Sequence, residues 1–172
     1  MLFRSGKVPA SGADKFDPDT AVIAINGEAI NYSRFVYLMM NKPAGCISAT
    51  EDRSEKPVTE LLSGNYAKQG LFPAGRLDKD AEGLLLLTND GQFAHDVISP
   101  GKNVNKRYYA ELDNAIEDAD IAAFSEGLTL KDGLQCLPAV LERAPESALA
   151  AFVTVREGKY HQVKRIDRKS VV

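Results

Sequence analysis

Asp78, Asp80 and Glu82 alternate through residues 75–87, GRLDKDAEGLLLL, and run directly into Gly83 and four consecutive leucines. Three chemistries suit that spacing. Oxygen ligands at positions one, three and five, with glycine at six, open a calcium loop. The match then fails at position twelve, where Asn89 stands in place of the bidentate glutamate and residues 84–88 read as strand. A general acid and base would need two converging carboxylates, yet Asp78 and Asp80 point to opposite sides of an extended chain. A carboxylate acting alone remains, and a lone carboxylate can be a nucleophile. The plain alternative is a solvated turn. Against it, four leucines in a row call for an apolar core on both faces of their strand, which puts the acids at the mouth of a buried element.

Positive charge is concentrated in two places. Arg156, Lys159, Lys164 and Arg165 surround Tyr160 and His161, with Glu157 the one acid among them, and Lys102, Lys106 and Arg107 precede Tyr108 and Tyr109. Cations mixed with rings suit unstacked RNA, whose phosphates meet the cations while its bases stack. A strand edge guarded by lysines would read the same way. The net charge of −3 over 172 residues argues weakly against nucleic acid, but binding follows where charge sits. His95 is expected on a helix surface. Cys46 and Cys136 lack metal-site spacing and are expected to be reduced core thiols. No apolar stretch approaches the roughly 20 residues of a membrane span and no signal-peptide core stands at the N-terminus, so a cytoplasmic address is expected.

The elements that must position these groups follow from periodicity and punctuation. Residues 21–26, AVIAIN, alternate and close on an Asn-Gly turn signal within a Gly-, Pro- and Asp-rich start. Residues 35–40, FVYLMM, form an apolar strand that Pro43 stops. Pro57 ahead of Val58, Leu61 and Leu62, with Gly64 behind, predicts a short helix. Asp90 is placed to cap a helix carrying Phe93 and Val97 on one face, closed by Pro100 and Gly101. Residues 115–126 predict an amphipathic helix with Ile116, Ile121 and Phe124 on its apolar side and Gly127 as its stop. Strands are expected at 107–112, 139–142 and 149–155, and from Tyr160 onward. Strands outnumber helices and several connections are too short for crossovers. The fold class is therefore α+β, with a mixed, mainly antiparallel central β-sheet and flanking helices.

GRLDKDAEGLLLLTNDG at 75–91, MNKPAG at 40–45 and EGKYHQVKR at 157–165 together resemble the pseudouridine synthases of the ribosomal-RNA type. Members of that family carry a small S4 RNA-binding domain ahead of the catalytic domain. The resemblance spans about residues 35–165, with the three motifs in order. It implies Asp78 as the catalytic nucleophile, leaving open whether the carboxylate adds to the ribose, adds to the base or removes a ribose proton. It implies substrate-binding roles for Tyr108, stacking on the target uracil, and for Lys164, pairing with the aspartate. Arg76 would reach a phosphate or fill the space left by the extruded base, and Lys42 and Lys106 would contact phosphate. No metal, nucleotide or redox cofactor is implied. The partner would be ribosomal RNA or a ribosomal-subunit assembly intermediate, with no membrane, and a monomer is expected. GKYHQVKR and LKDGLQCLPAVLE are worded more like the small-subunit enzymes than the large-subunit ones.

The resulting division is a partial S4-like segment at 1–33 and a catalytic domain at 34–166, incomplete at its C-terminal side. A non-native tail, DRKSVV, is expected at 167–172, where no strand alternation or helix face can be read. Truncation at both ends keeps an RNA-binding fragment without activity as the alternative, and a calcium-binding loop protein as the remote one.

Overall fold

In the computed structural model, Asn26 (φ 53°) and Gly27 (φ 87°) both take the left-handed conformation. That is the geometry of the tight hairpin turn that an Asn-Gly pair favours. The turn joins β2 (Ile23–Ile25) to β3 (Glu28–Ile30) with Ile25 opposite Glu28, and β1 (Leu2–Arg4) pairs antiparallel on the other side of β2. The structure describes residues 2–4, 11, 15, 17, 20–30, 33–130 and 133–158. The chain divides into two compact units, Met1–Gly91 and Gln92–Val172.

The remainder of the first unit is built on β6 (Gly83–Thr88), which lies between β4 (Tyr37–Lys42) and the short edge strand β5 (Phe72–Pro73), all antiparallel. Pro73 is tolerated because β5 is an edge. Val58, Leu71, Leu85 and Leu87 are buried together, with Leu38, Met40 and Leu77 packed against them. The short helix read from the sequence forms as a 3₁₀-helix at Val58–Leu61, entered through Pro57. Burial of the leucine strand on both faces is not what forms. Leu84 is 66% exposed and Met39 on the neighbouring strand 81%, whereas Leu85 and Leu87 face the core. Leucine repeated at every position carries no alternation, so composition overstated the burial. Asn89, the residue at the failed twelfth position, ties loops instead: its Oδ1 accepts the Val36 N–H at 2.9 Å and its Nδ2 donates to Arg34 and Gln69 carbonyls, each at 3.3 Å.

The helix α1 (Gly91–Ile98) begins at the division between the units. The second unit then carries β7 (Lys106–Glu111), α2 (Asp118–Glu126), β8 (Val140–Arg143) and β9 (Ala150–Val155), the strands pairing antiparallel in the order β7-β9-β8. Phe124 of α2 is buried with Leu128, Leu141, Val153 and Val155, and Ile121 packs alongside. The helix starts three residues later than its apolar pattern. Glu117 is extended (φ −94°, ψ 162°) and its N–H donates to Asp120 Oδ2 at 2.9 Å, which fixes the N-cap there. Gly127 ends the helix at φ 93°, and a Cβ on it would lie 2.7 Å from the Cys136 carbonyl oxygen. Both cysteines are buried free thiols, as expected. Among the described residues no helix is long and apolar enough to cross a membrane. The strand expected from Tyr160 and the DRKSVV tail lie outside the described residues.

Candidate active site

Between β5 and β6 the chain makes the loop that carries Asp78, and its main chain is fastened at four residues, Leu77, Asp78, Lys79 and Ala81. Lys42 ends β4 in phase with Leu38 and Met40, so strand alternation turns its side chain to the covered face. It is fully buried, at 0% exposure. Its Nζ donates to the carbonyls of Ala81 (2.8 Å), Asp78 (3.0 Å) and Pro43 (3.0 Å), with Lys79 more distant at 3.4 Å. A buried ammonium is costly unless its hydrogens are all taken up, and here carbonyl oxygens take them up. Gly45, at φ 88°, aims its N–H at the Lys79 carbonyl at 2.7 Å. Ser48 Oγ accepts the Leu77 N–H at 3.0 Å and donates to the Leu77 carbonyl at 2.9 Å. Within the loop, the Ala81 N–H closes a turn onto the Asp78 carbonyl at 3.1 Å. Outside it, Lys79 pairs with Glu55 at 2.6 Å, an exposed contact of little energetic weight.

This arrangement corrects one expectation. Lys42 cannot meet a phosphate, because it has no exposed surface and its ammonium is committed to the loop's own carbonyls. The MNKPAG segment thus serves the aspartate loop: Lys42 and Gly45 both bond to it. The signal for this was present in the sequence as a lysine in register with Leu38 and Met40, though its charge led to the phosphate-contact reading. Ser48 carried no signal at all.

Asp78 itself is half-buried and Arg76 is exposed. Asp78, Asp80 and Glu82 do not gather: among the described residues no three His, Cys, Asp or Glu side chains converge as a cation's ligands would. A hollow of about 280 Å³ in the same unit, lined by Thr50, Thr59, Tyr66 and Leu71 among others, shares no residue with the Asp78 loop.

In the second unit, Tyr108 sits on β7 opposite Val153, half-buried against that unit's core, and its neighbour Tyr109 is on the outer face in edge contact with Phe152 at 5.4 Å. Two acids, Glu146 and Glu111, join partial desolvation in holding the Tyr109 hydroxyl above the usual phenol range, with desolvation the larger cause. Lys106 is half-buried and donates to the Val104 carbonyl at 3.1 Å. Arg107 is engaged by Glu142 at 3.1 Å and lies 4.0 Å over the Phe152 ring. Lys102 is paired with Asp96 at 2.9 Å, and His95 is exposed on α1 as expected. Glu157, the first residue of the third motif, is 6% exposed and accepts the Leu137 N–H at 2.8 Å, a structural tie. Lys164 and His161 lie outside the described residues.

The family model described as RNA pseudouridylate synthase matches residues 36–168. A Bacillus subtilis protein named as an uncharacterized RNA pseudouridine synthase is 44% identical over 163 residues, which are 94% of this chain and 68% of that protein. The ribosomal small subunit pseudouridine synthase A of Pseudomonas aeruginosa is 41% identical over 131 residues, covering 76% of this chain and 56% of its own length. The enzyme of the same name from Vibrio parahaemolyticus is 36% identical over 162 residues, 94% of this chain and 69% of that protein. Among solved structures, a crystal structure of a pseudouridylate synthase superposes with a TM-score of 0.70 at 32% identity, over 96% of this chain and 70% of that one. Matched by the family model over most of its length and by relatives across sequence and fold, the chain belongs to the RNA pseudouridylate synthase family.

Proposed function

We propose that this protein isomerises one uridine of small-subunit ribosomal RNA to pseudouridine, with Asp78 as the nucleophile. The observation that carries the reading is the fastening of the Asp78 loop. Main-chain groups from Leu77 to Ala81 are held by Ser48, Lys42 and Gly45, which spends a buried lysine on fixing the stretch around one carboxylate. Such investment suits a group that must meet a reacting carbon within a fraction of an ångström. The names of the relatives, ribosomal small subunit pseudouridine synthase A, support the choice of RNA.

The target nucleotide is flipped out of its stack at a cost of a few kcal/mol, offset by stacking and phosphate contacts. Asp78 then acts on the uridine. The bond between N1 and the ribose C1′ breaks, the uracil turns, and C5 is joined to C1′. The C5 proton leaves to solvent and N1 gains one, so the atoms balance with no co-reactant. Tyr108 stacks on the uracil, Lys164 pairs with the aspartate, Arg76 reaches a backbone phosphate or fills the space left by the extruded base, and Lys106 meets a phosphate. Residues 1–33 act as a partial S4-like RNA-binding segment ahead of the catalytic domain at 34–166. The protein works as a cytoplasmic monomer on ribosomal RNA or on a subunit assembly intermediate.

The test is tritium release from small-subunit ribosomal RNA transcribed with uridine labelled at C5, incubated with the intact gene product. Release matched by an equal amount of pseudouridine is the expected result. RNA that keeps its tritium overturns the reading.

A further inference from the structure

The direction of the Asp78 side chain is set by the two peptide planes that meet at its Cα. The plane on the C-terminal side holds the Asp78 carbonyl, which accepts from Lys42 Nζ at 3.0 Å and from the Ala81 N–H at 3.1 Å. The plane on the N-terminal side holds the Leu77 carbonyl, which accepts from Ser48 Oγ at 2.9 Å. The same Oγ accepts the Leu77 N–H at 3.0 Å, so a single hydroxyl occupies both polar groups of the residue before Asp78, as a neighbouring strand would.

Ser48 is itself anchored. The Ile47 N–H donates to the Lys56 carbonyl and the Ile47 carbonyl accepts from Val58, both at 2.9 Å, and Val58 is fully buried. Leu77 packs against the core of the same unit. Planar peptides leave φ and ψ as the soft torsions. With both planes held, the Cα–Cβ bond of Asp78 has one direction, and only the side-chain torsions remain to be set.

We propose that Ser48 is a positioning residue for the reaction: its hydroxyl holds the Leu77–Asp78 peptide plane so that the carboxylate is presented in the reactive direction. This rests on the functional reading above. Ser48 acts through Leu77, to which both of its hydrogen bonds lead, so its loss is expected to change the rate at saturation more than binding. Displacement of a reacting group by about 1 Å costs on the order of 100-fold.

The experiment compares wild type, Ser48→Ala and Ser48→Thr in tritium release from C5-labelled small-subunit ribosomal RNA, and follows exchange of the Leu77 amide by NMR. Ser48→Ala is expected to lower kcat by about 10- to 100-fold with KM changed less than about twofold, and to expose the Leu77 amide to exchange. Ser48→Thr, which keeps the hydroxyl, is expected to restore both. If Ser48→Ala fails to fold, Ser48→Cys takes its place: a thiol is a weak donor and acceptor, so an intermediate kcat is expected. A kcat in Ser48→Ala, or in that event Ser48→Cys, equal to wild type overturns the assignment, as does a Leu77 amide still protected in Ser48→Ala. So does a rate loss that threonine leaves unrestored. A wild-type protein that releases no tritium overturns the functional reading, and Ser48's role in the reaction with it. An active wild type beside an equally active Ser48→Ala overturns the assignment alone.

Discussion

Replacing Lys42 by methionine keeps the length and apolar stem of the side chain and removes the ammonium. Two loop carbonyls lose a charged donor at short range, Ala81 at 2.8 Å and Asp78 at 3.0 Å. Hydrogen bonds to charged groups contribute about 1.5–3 kcal/mol each. Part of that loss is returned because methionine carries no desolvation cost, whereas a buried ammonium carries several kcal/mol. The net destabilisation expected is therefore about 2–3 kcal/mol, read as a lower urea midpoint at unchanged slope. The effect on turnover should be larger than the effect on folding suggests. The Asp78 carbonyl is released, and the loop that presents the carboxylate loosens: kcat is expected to fall on the order of 100-fold with KM within about threefold. Arginine should not rescue, since no space at this fully buried position is offered to a larger planar group. Tritium release at saturating RNA, measured well below the unfolding temperature, separates the two effects. A phosphate-contacting lysine would behave in the opposite way, with KM raised, kcat kept and the salt dependence of binding reduced by about one ion. That pattern, or a kcat within twofold of wild type, would refute the reasoning.

Gly127→Ala should destabilise the second unit by about 2–3 kcal/mol, since φ of 93° and a Cβ 2.7 Å from the Cys136 carbonyl oxygen require backbone to move; a urea midpoint unchanged from wild type would contradict it. Asp52 accepts the N–H groups of Ser54 at 2.8 Å and Glu55 at 2.9 Å, and these bonds, Ser54 first, hold its carboxyl below the ordinary range. A depressed folded-state pKa stabilises above the unfolded value of about 3.9 and is lost as pH falls through the lower folded value. Wild type should therefore be more stable than Asp52→Ala at pH 7, with an advantage that shrinks as pH falls below the unfolded value; an advantage that does not shrink in acid would contradict the cause.

Legibility from sequence tracked the range of the interactions. The turn at Asn26-Gly27, the stop at Gly127 and the strands β2, β4, β6, β7, β8 and β9 are written in turn residues and apolar runs, and they stand within two residues of where the sequence places them, whereas β1, β3 and the two-residue edge strand β5 were not read. The start of α2 shifted because Ile116, though buried, belongs to the approach to the helix, and the Glu117–Asp120 pair set the N-cap. Leu84 misled because a leucine run hides which face is covered. The support of the Asp78 loop was the least legible part. Lys42 meets Asp78 across 36 positions and Ser48 meets Leu77 across 29, and tertiary hydrogen bonds of that separation leave no periodic trace.

The role proposed for Asp78 in forming pseudouridine in small-subunit ribosomal RNA is read out by mass mapping of that RNA from cells lacking the gene. The cells are complemented with the wild-type gene, with Asp78→Asn, or with Asp80→Asn as the control from the same loop. The amide is nearly isosteric with the carboxylate but is no nucleophile. One pseudouridine is expected to vanish on deletion, return with wild type and with Asp80→Asn, and stay absent with Asp78→Asn. A modification that survives deletion, or returns with Asp78→Asn, would contradict the account.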